Sequence, residues 1–107
     1  MTKVEYSIAR QFTRHPGPRY RTQGPNSGES LRAKLVRLLN GHPDDVIDID
    51  LDGTSGYGSS FLDEAFGGLI RSDGFDHSVK ERFNFRSIVD PSYIVEIEES
   101  FNAARPD

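Results

Sequence analysis

The 107-residue chain contains no cysteine. Disulfides and thiolate metal sites are therefore excluded, and a reducing cytoplasm is the natural expectation. No stretch approaches the ~20 apolar residues that a membrane-crossing helix needs, and the first residues lack the apolar core of a signal peptide. A soluble, cytoplasmic protein is expected. Internal repeats and low-complexity segments are also missing. Gly53, Gly56 and Gly58 are not followed by Gly-Lys-Ser/Thr and do not match G-x-G-x-x-G, so a nucleotide-cradling loop is not expected. The three histidines, His15, His42 and His77, are scattered through apparent loops without metal-ligand spacing. No serine has a histidine base beside it in sequence. The chain is accordingly expected to be non-enzymatic, with no cofactor and no metal.

What is present fits one α/β domain spanning residues 1–107. Hydrophobic residues make up 35% of the chain and ten glycines are added to them, a globular composition on the polar side. Net charge is −4, unevenly placed. Residues 1–37 hold eight Lys/Arg against Glu5 and Glu29, a net +6, while the remainder holds five basic and fifteen acidic residues, a net −10. Such a split marks either an anionic partner at one end or an attraction between the two halves of one fold.

Val4, Tyr6 and Ile8 alternate with polar residues and predict a half-buried strand. Residues 10–28 are rich in Pro and Gly and predict a long loop, with Arg19–Thr22 as a short edge strand inside it. Ser27-Gly28-Glu29-Ser30 opens a helix whose Leu31, Leu35 and Leu38/Leu39 share a face, and Gly41 and Pro43 stop it. Val46 to Leu51 is a second strand, with Ile47, Ile49 and Leu51 on one face and Asp48 and Asp50 on the other. A second helix runs from about Ser60 to Arg71, with Phe61, Leu62, Ala65, Phe66, Leu69 and Ile70 as its apolar stripe. Gly67-Gly68 inside it costs about 1 kcal/mol per glycine, which implies close approach to a neighbour. Asp76–Lys80 predicts one helical turn, Phe83 and Phe85 a third strand, and Asp90-Pro91 the start of a C-terminal helix. The order predicts a small α/β sandwich with helices mainly on one face of the sheet.

The segment Gly56-Tyr57-Gly58-Ser59-Ser60 joins a strand to a helix and puts two hydroxyls where the helix begins. Helix N-termini favour anions. Ser is also a preferred N-cap, and Asp63 three residues after Ser60 resembles a capping box. Both readings stand at this level. Asp48-Ile49-Asp50-Leu51-Asp52-Gly53 matches the front half of a calcium loop, but the twelfth position is Ser59 where a Glu is needed. Asp52-Gly53 is expected to be a strand-ending turn. Arg10, Arg14, His15, Arg19, Tyr20 and Arg21 form a basic stretch with an aromatic. That mixture suits an acidic protein surface or single-stranded nucleic acid.

The pieces Pro16–Arg21, Gly24–Glu29, Asp50–Gly53 and Gly56–Leu69 resemble the STAS-like family of bacterial proteins of unknown function. The resemblance covers about residues 12–71 and implies a STAS-like sandwich with a mixed sheet. The parent group includes the anti-sigma-factor antagonists. In those, a strand leads into Asp-Ser-Ser-Gly-Leu at a helix start, and the second serine is phosphorylated by a kinase of the GHKL ATPase type. Laid on this chain, the resemblance makes Ser60 the phosphoacceptor and Ser59 its neighbour. Gly58 stands where the antagonists have Asp, and Phe61 where they have Gly. The resulting expectation is a protein-interaction module, switched by serine phosphorylation and paired with a GHKL-type ATPase or kinase. Its partner surface would comprise Arg19, Tyr20, Arg21, Gly56, Tyr57, Gly58, Asp63 and Glu64. The alternatives are a nucleic-acid-binding accessory protein using residues 10–21 and a small-ligand domain at the 53–60 turn.

Overall fold

The computed structural model describes residues 3–106; Met1, Thr2 and Asp107, the ends of the expected span, lie outside the described residues. Three strands, β1 (Lys3–Ser7), β2 (Val46–Asp50) and β3 (Phe83–Arg86), form one sheet in the order β1-β2-β3, parallel throughout. The expected mixed sheet is thus corrected to a parallel one. Each link between strands carries a helix, as a parallel crossover requires. The expected strand at Arg19–Thr22 does not form, and Arg21–Gln23 make a 3-10 turn instead.

The short helix α1 (Ile8–Gln11) follows β1, and α2 (Gly28–Gly41) completes the crossover to β2. A helical run over residues 59–72 links β2 to β3. It comprises α3 (Ser59–Leu62), a π-helical stretch (Asp63–Gly67) and α4 (Gly68–Ser72). A 3-10 turn (His77–Arg82) enters β3, and α5 (Ser92–Ala103) follows it. Successive crossovers of one hand, stepping in one direction across a sheet, lie on the same side. The helices accordingly bury Tyr6, Ile47, Ile49 and Phe83. The other face carries Glu5, Ser7, Asp48, Asp50, Asn84 and Arg86 and lines an open concavity of about 580 Å³. Parallel sheets are usually covered on both faces. Here strict polar alternation in all three strands leaves one face compatible with water.

The core is built as the apolar spacing dictates. Leu31, Leu35 and Leu39 of α2 meet Phe61, Leu62, Ala65, Phe66, Leu69 and Ile70 of the 59–72 run, with Ile97 and Phe101 of α5 closing it. Ser27 caps α2 by accepting the Ser30 N–H at 3.1 Å. Asp90 Oδ1 accepts the Ser92 N–H at 3.0 Å, and Pro91 already has helical dihedrals, so the Asp-Pro start is used as its chemistry suggests. The loop before α2 is ordered. Gly17 N–H donates to Asn26 O at 2.8 Å, Gly28 N–H to Pro18 O at 2.9 Å and Glu29 N–H to Arg19 O at 3.0 Å. A Cβ on Gly17 would lie 2.2 Å from Pro25 O, so only glycine fits that crossing.

Among the described residues the buried Tyr6 hydroxyl has no hydrogen-bond partner, and burial pushes its pKa up. A buried hydroxyl left unpaired costs more than its removal. Tyr6→Phe is therefore expected to stabilise the fold by about 1 kcal/mol in urea denaturation. A loss of stability would mean the hydroxyl has a partner in solution.

Candidate functional site

The helical run over residues 59–72 organises the site. Gly58, with extended dihedrals (φ −75°, ψ 150°), is its N-cap. This corrects the reading in which a serine caps the helix. Because the chain turns helical at Ser59, Ser59 and Ser60 fall one and two positions too late to cap. Their residues are exposed, and among the described residues neither hydroxyl has a hydrogen-bond partner.

One turn further on, the helix widens. The Gly68 N–H reaches back five residues to the Asp63 carbonyl, closing a π turn. Such turns occur frequently at functional sites. The two glycines of the run are explained by contact. A Cβ on Gly68 would meet Arg32 Nη1 at 2.8 Å, and one on Gly67 would sit 3.2 Å from Ser100 O of α5.

Asp63 and Glu64 open the π stretch and gather three arginines from three parts of the chain. Arg19 Nη1 lies 2.7 Å from Asp63 Oδ2 and 3.3 Å from Glu64 Oε1. Arg71 Nη2 lies 3.3 Å from Asp63 Oδ2 and 3.4 Å from Glu64 Oε1. Arg32 Nη1 pairs with Glu64 Oε2, and its Nε lies 3.0 Å from Asp73. The hydrogen bond that Arg19 donates to Asp63, aided by Glu64, raises the Arg19 pKa above its ordinary value. The basic N-terminal part and the acidic remainder thus attract each other inside one fold, the second of the two readings of the charge split.

Beside this network lies a shallow groove of about 290 Å³ between the first turn of α3 and α5. It is lined by Arg19, Ser59, Ser60, Asp63, Glu96 and Glu99. Both unpartnered hydroxyls therefore open onto an acidic groove in which Arg19 is a cation already held by two carboxylates.

The structure brings Ser59, Ser60, Arg19, Asp63 and Glu64 together. It separates the other expected surface residues from them. Tyr57 is buried: its hydroxyl donates to Leu51 O at 2.8 Å, its ring meets Tyr93 edge-on at 4.9 Å, and burial pushes its pKa up to about 12. It anchors the turn to the core and does not face a partner. Gly56 (φ +127°) passes under the Tyr93 hydroxyl, and Gly58 is exposed at the cap. Arg21 turns to Glu29 (3.9 Å) and Ser30 (3.1 Å), while exposed Tyr20 lies beneath the Arg19 guanidinium at 5.9 Å. Arg19 and Arg21 both already face carboxylates, which is unfavourable geometry for gripping phosphates.

Asp52 has a definite task. Its two carboxylate oxygens accept the Ile88 and Val89 N–H groups, each at 3.0 Å, and these bonds hold its pKa below the usual range. Asp48 accepts from Asn84 and Asp50 from the Asp52 N–H, so the three aspartates do not converge on one point.

Sequence reasoning missed Arg32, Arg71, Asp73, Glu96 and Glu99. Arg71 had a signal: it follows Glu64 by seven residues, two helical turns on the same face. Arg32 and Asp73 had none, because only tertiary packing brings them to Glu64.

A family model described as a STAS-like domain of unknown function (DUF4325) matches residues 27–93, more than half of the chain. The chain belongs to this family. No curated protein and no solved structure matches it. The STAS-like match takes in α2, β2, the 59–72 run and β3, and with them Ser59, Ser60, Glu64, Arg32, Arg71 and Asp73. It does not include residues 16–26, so the Arg19 loop is attached to the family region through its ion pairs. No helix among the described residues is long and apolar enough to cross a membrane.

Proposed function

We propose that this STAS-like chain is a non-enzymatic, cytoplasmic regulatory module that binds a protein partner at the Ser59–Ser60 groove. In this reading the partner is a GHKL-type ATPase or kinase, and Ser60 is its phosphoacceptor. The observation that carries the reading is the serine pair itself. Two exposed hydroxyls stand at a helix start, neither caps it, and neither has a partner among the described residues.

The groove supplies a physical consequence for phosphorylation. A phosphate on Ser60 adds about two negative charges beside Asp63, Glu96 and Glu99. It repels those carboxylates and competes with Asp63 for Arg19. Either effect changes the surface a partner reads, and the second also loosens the Arg19 loop.

The test is an affinity pull-down from the native host with wild type, Ser60→Ala and Ser60→Glu, read by mass spectrometry. The expected result is an ATPase recovered by the first two and lost with Ser60→Glu. Recovery of the same proteins by all three removes the switch. The Ser60→Ala bait stays folded: because Ser60 is not the cap, its loss should change stability by less than about 0.5 kcal/mol. A lost cap would cost about 1 kcal/mol.

A further inference from the structure

Among the described residues no strand lies beside the outer edge of β3. Arg86 turns its carbonyl toward β2, where it accepts the Leu51 N–H at 2.8 Å. Alternate residues of a strand point their backbone groups the same way. Asn84 therefore also faces β2, and Phe83 and Phe85 direct their backbone groups outward. The Phe83 N–H is used by the Lys80 carbonyl. The Phe85 N–H and C=O and the Phe83 C=O are left for pairing at the open edge.

The side chains at this edge are unusual for a strand that faces only water. A crevice of about 330 Å³ runs between β3 and α5, floored by Phe83, Phe85 and Phe101, with Lys80 and Glu98 also lining it. Ile88 and Val89 just beyond β3 are 67% and 84% exposed, and Val95 on α5 is 53% exposed. The Ile88–Val89 step is held in place by the Asp52 carboxylate through both N–H groups. An ordered, apolar, open edge is the kind that natural proteins cover or blunt.

We propose that β3 pairs antiparallel with β3 of a second copy of this chain, making a two-fold dimer with a continuous six-stranded sheet. The edge is self-complementary. The register that sets Phe83 opposite Phe85 of the other copy lets each Phe85 N–H donate to the opposing Phe83 carbonyl. It also makes two cross-strand aromatic pairs. The crevice carries one cation and one anion, Lys80 and Glu98, so a two-fold copy offers each its counter-charge. The polar faces of both sheets stay wet, and the Ser59–Ser60 groove is not part of the contact.

The experiment is sedimentation equilibrium from about 1 µM to about 1 mM, on wild type, Lys80→Glu, Glu98→Lys and the double swap. Both positions changed are exposed, and circular dichroism checks that each variant is folded. Wild type is expected to dimerise, each single reversal to weaken the dimer by at least about fivefold, and the double swap to restore it. In parallel, amide exchange at Phe85 is expected to slow as wild-type concentration rises. A monomer at all concentrations overturns the proposal and leaves the edge to an extended segment of another protein. A dimer indifferent to the reversals, with Phe85 exchange independent of concentration, places the contact elsewhere and overturns it too.

Discussion

Phe66→Ala is expected to destabilise the domain by about 3–5 kcal/mol, the range for deleting a fully buried aromatic ring. Phe66 is completely buried and its ring makes edge contacts with three others: Phe85 at 5.3 Å, Phe83 at 5.8 Å and Phe101 at 6.0 Å. It is the point where the 59–72 run, β3 and α5 meet. The cavity left by alanine cannot close easily, because its walls belong to three separate elements. Since domains of this size are stable by only about 5–15 kcal/mol, the loss takes a large share of the total. The corresponding fall in Tm is of the order of 15–25 °C. Asn40→Ala on the exposed side of α2 is the control, expected within about 0.5 kcal/mol of wild type. If Phe66→Ala cost no more than the control, the aromatic cluster would not be the keystone described.

The position of Phe66 in the core was legible before any coordinates, because Phe61, Leu62, Ala65, Phe66, Leu69 and Ile70 recur at helical spacing. The alternation of Asp48 and Asp50 with Ile47 and Ile49 likewise announced an open polar face. Local patterns stop there. The π turn at Asp63–Gly67 leaves no periodic trace in so short a run, and nothing in the spacing tells a wide turn from an ordinary one. Ser60 with Asp63 looked like a cap because the spacing is right. Gly58 took the role because the chain bends two residues earlier, and glycine is an accepted N-cap residue. Arg19–Thr22 has the alternation of a strand. Pairing of the flanking backbone with Asn26, Gly28 and Glu29, and of the Arg19 side chain with Asp63, turns the segment into a folded loop. For the Arg19–Thr22 segment, a long-range contact decided between local forms of similar energy. The candidate site follows the same division: its serines were visible in sequence, and the arginine network around Glu64 was not, beyond the charge split.

Glu64→Ala is expected to cost about 3–5 kcal/mol, comparable with the loss of a core phenylalanine, although Glu64 is a charged residue on a helix. The deciding quantity is burial. The Glu64 side chain is 6% exposed, against 30% for Asp63 and 28% for Asp73. Ion pairs in water contribute about 0–1 kcal/mol, so Asp73→Ala should fall in that range. Glu64 differs because its two oxygens are shared by Arg19, Arg32 and Arg71, and its removal leaves three guanidinium groups crowded around a missing anion. Salt separates the two cases as well. Buried pairs are screened little, so the Glu64→Ala deficit should persist in about 1 M NaCl, while any Asp73→Ala deficit should fade. The same variant reports on function, since Glu64 and Asp63 are what hold Arg19 and the loop behind it. Limited trypsin digestion of Glu64→Ala under native conditions should cut first after Arg19, where wild type resists. Equal costs for Glu64→Ala and Asp73→Ala, with no new cleavage after Arg19, would show that the three arginines are held by packing. A phosphate on Ser60 would then have to act by competing with Asp63 for Arg19 or through repulsion in the groove, with no part played by Glu64.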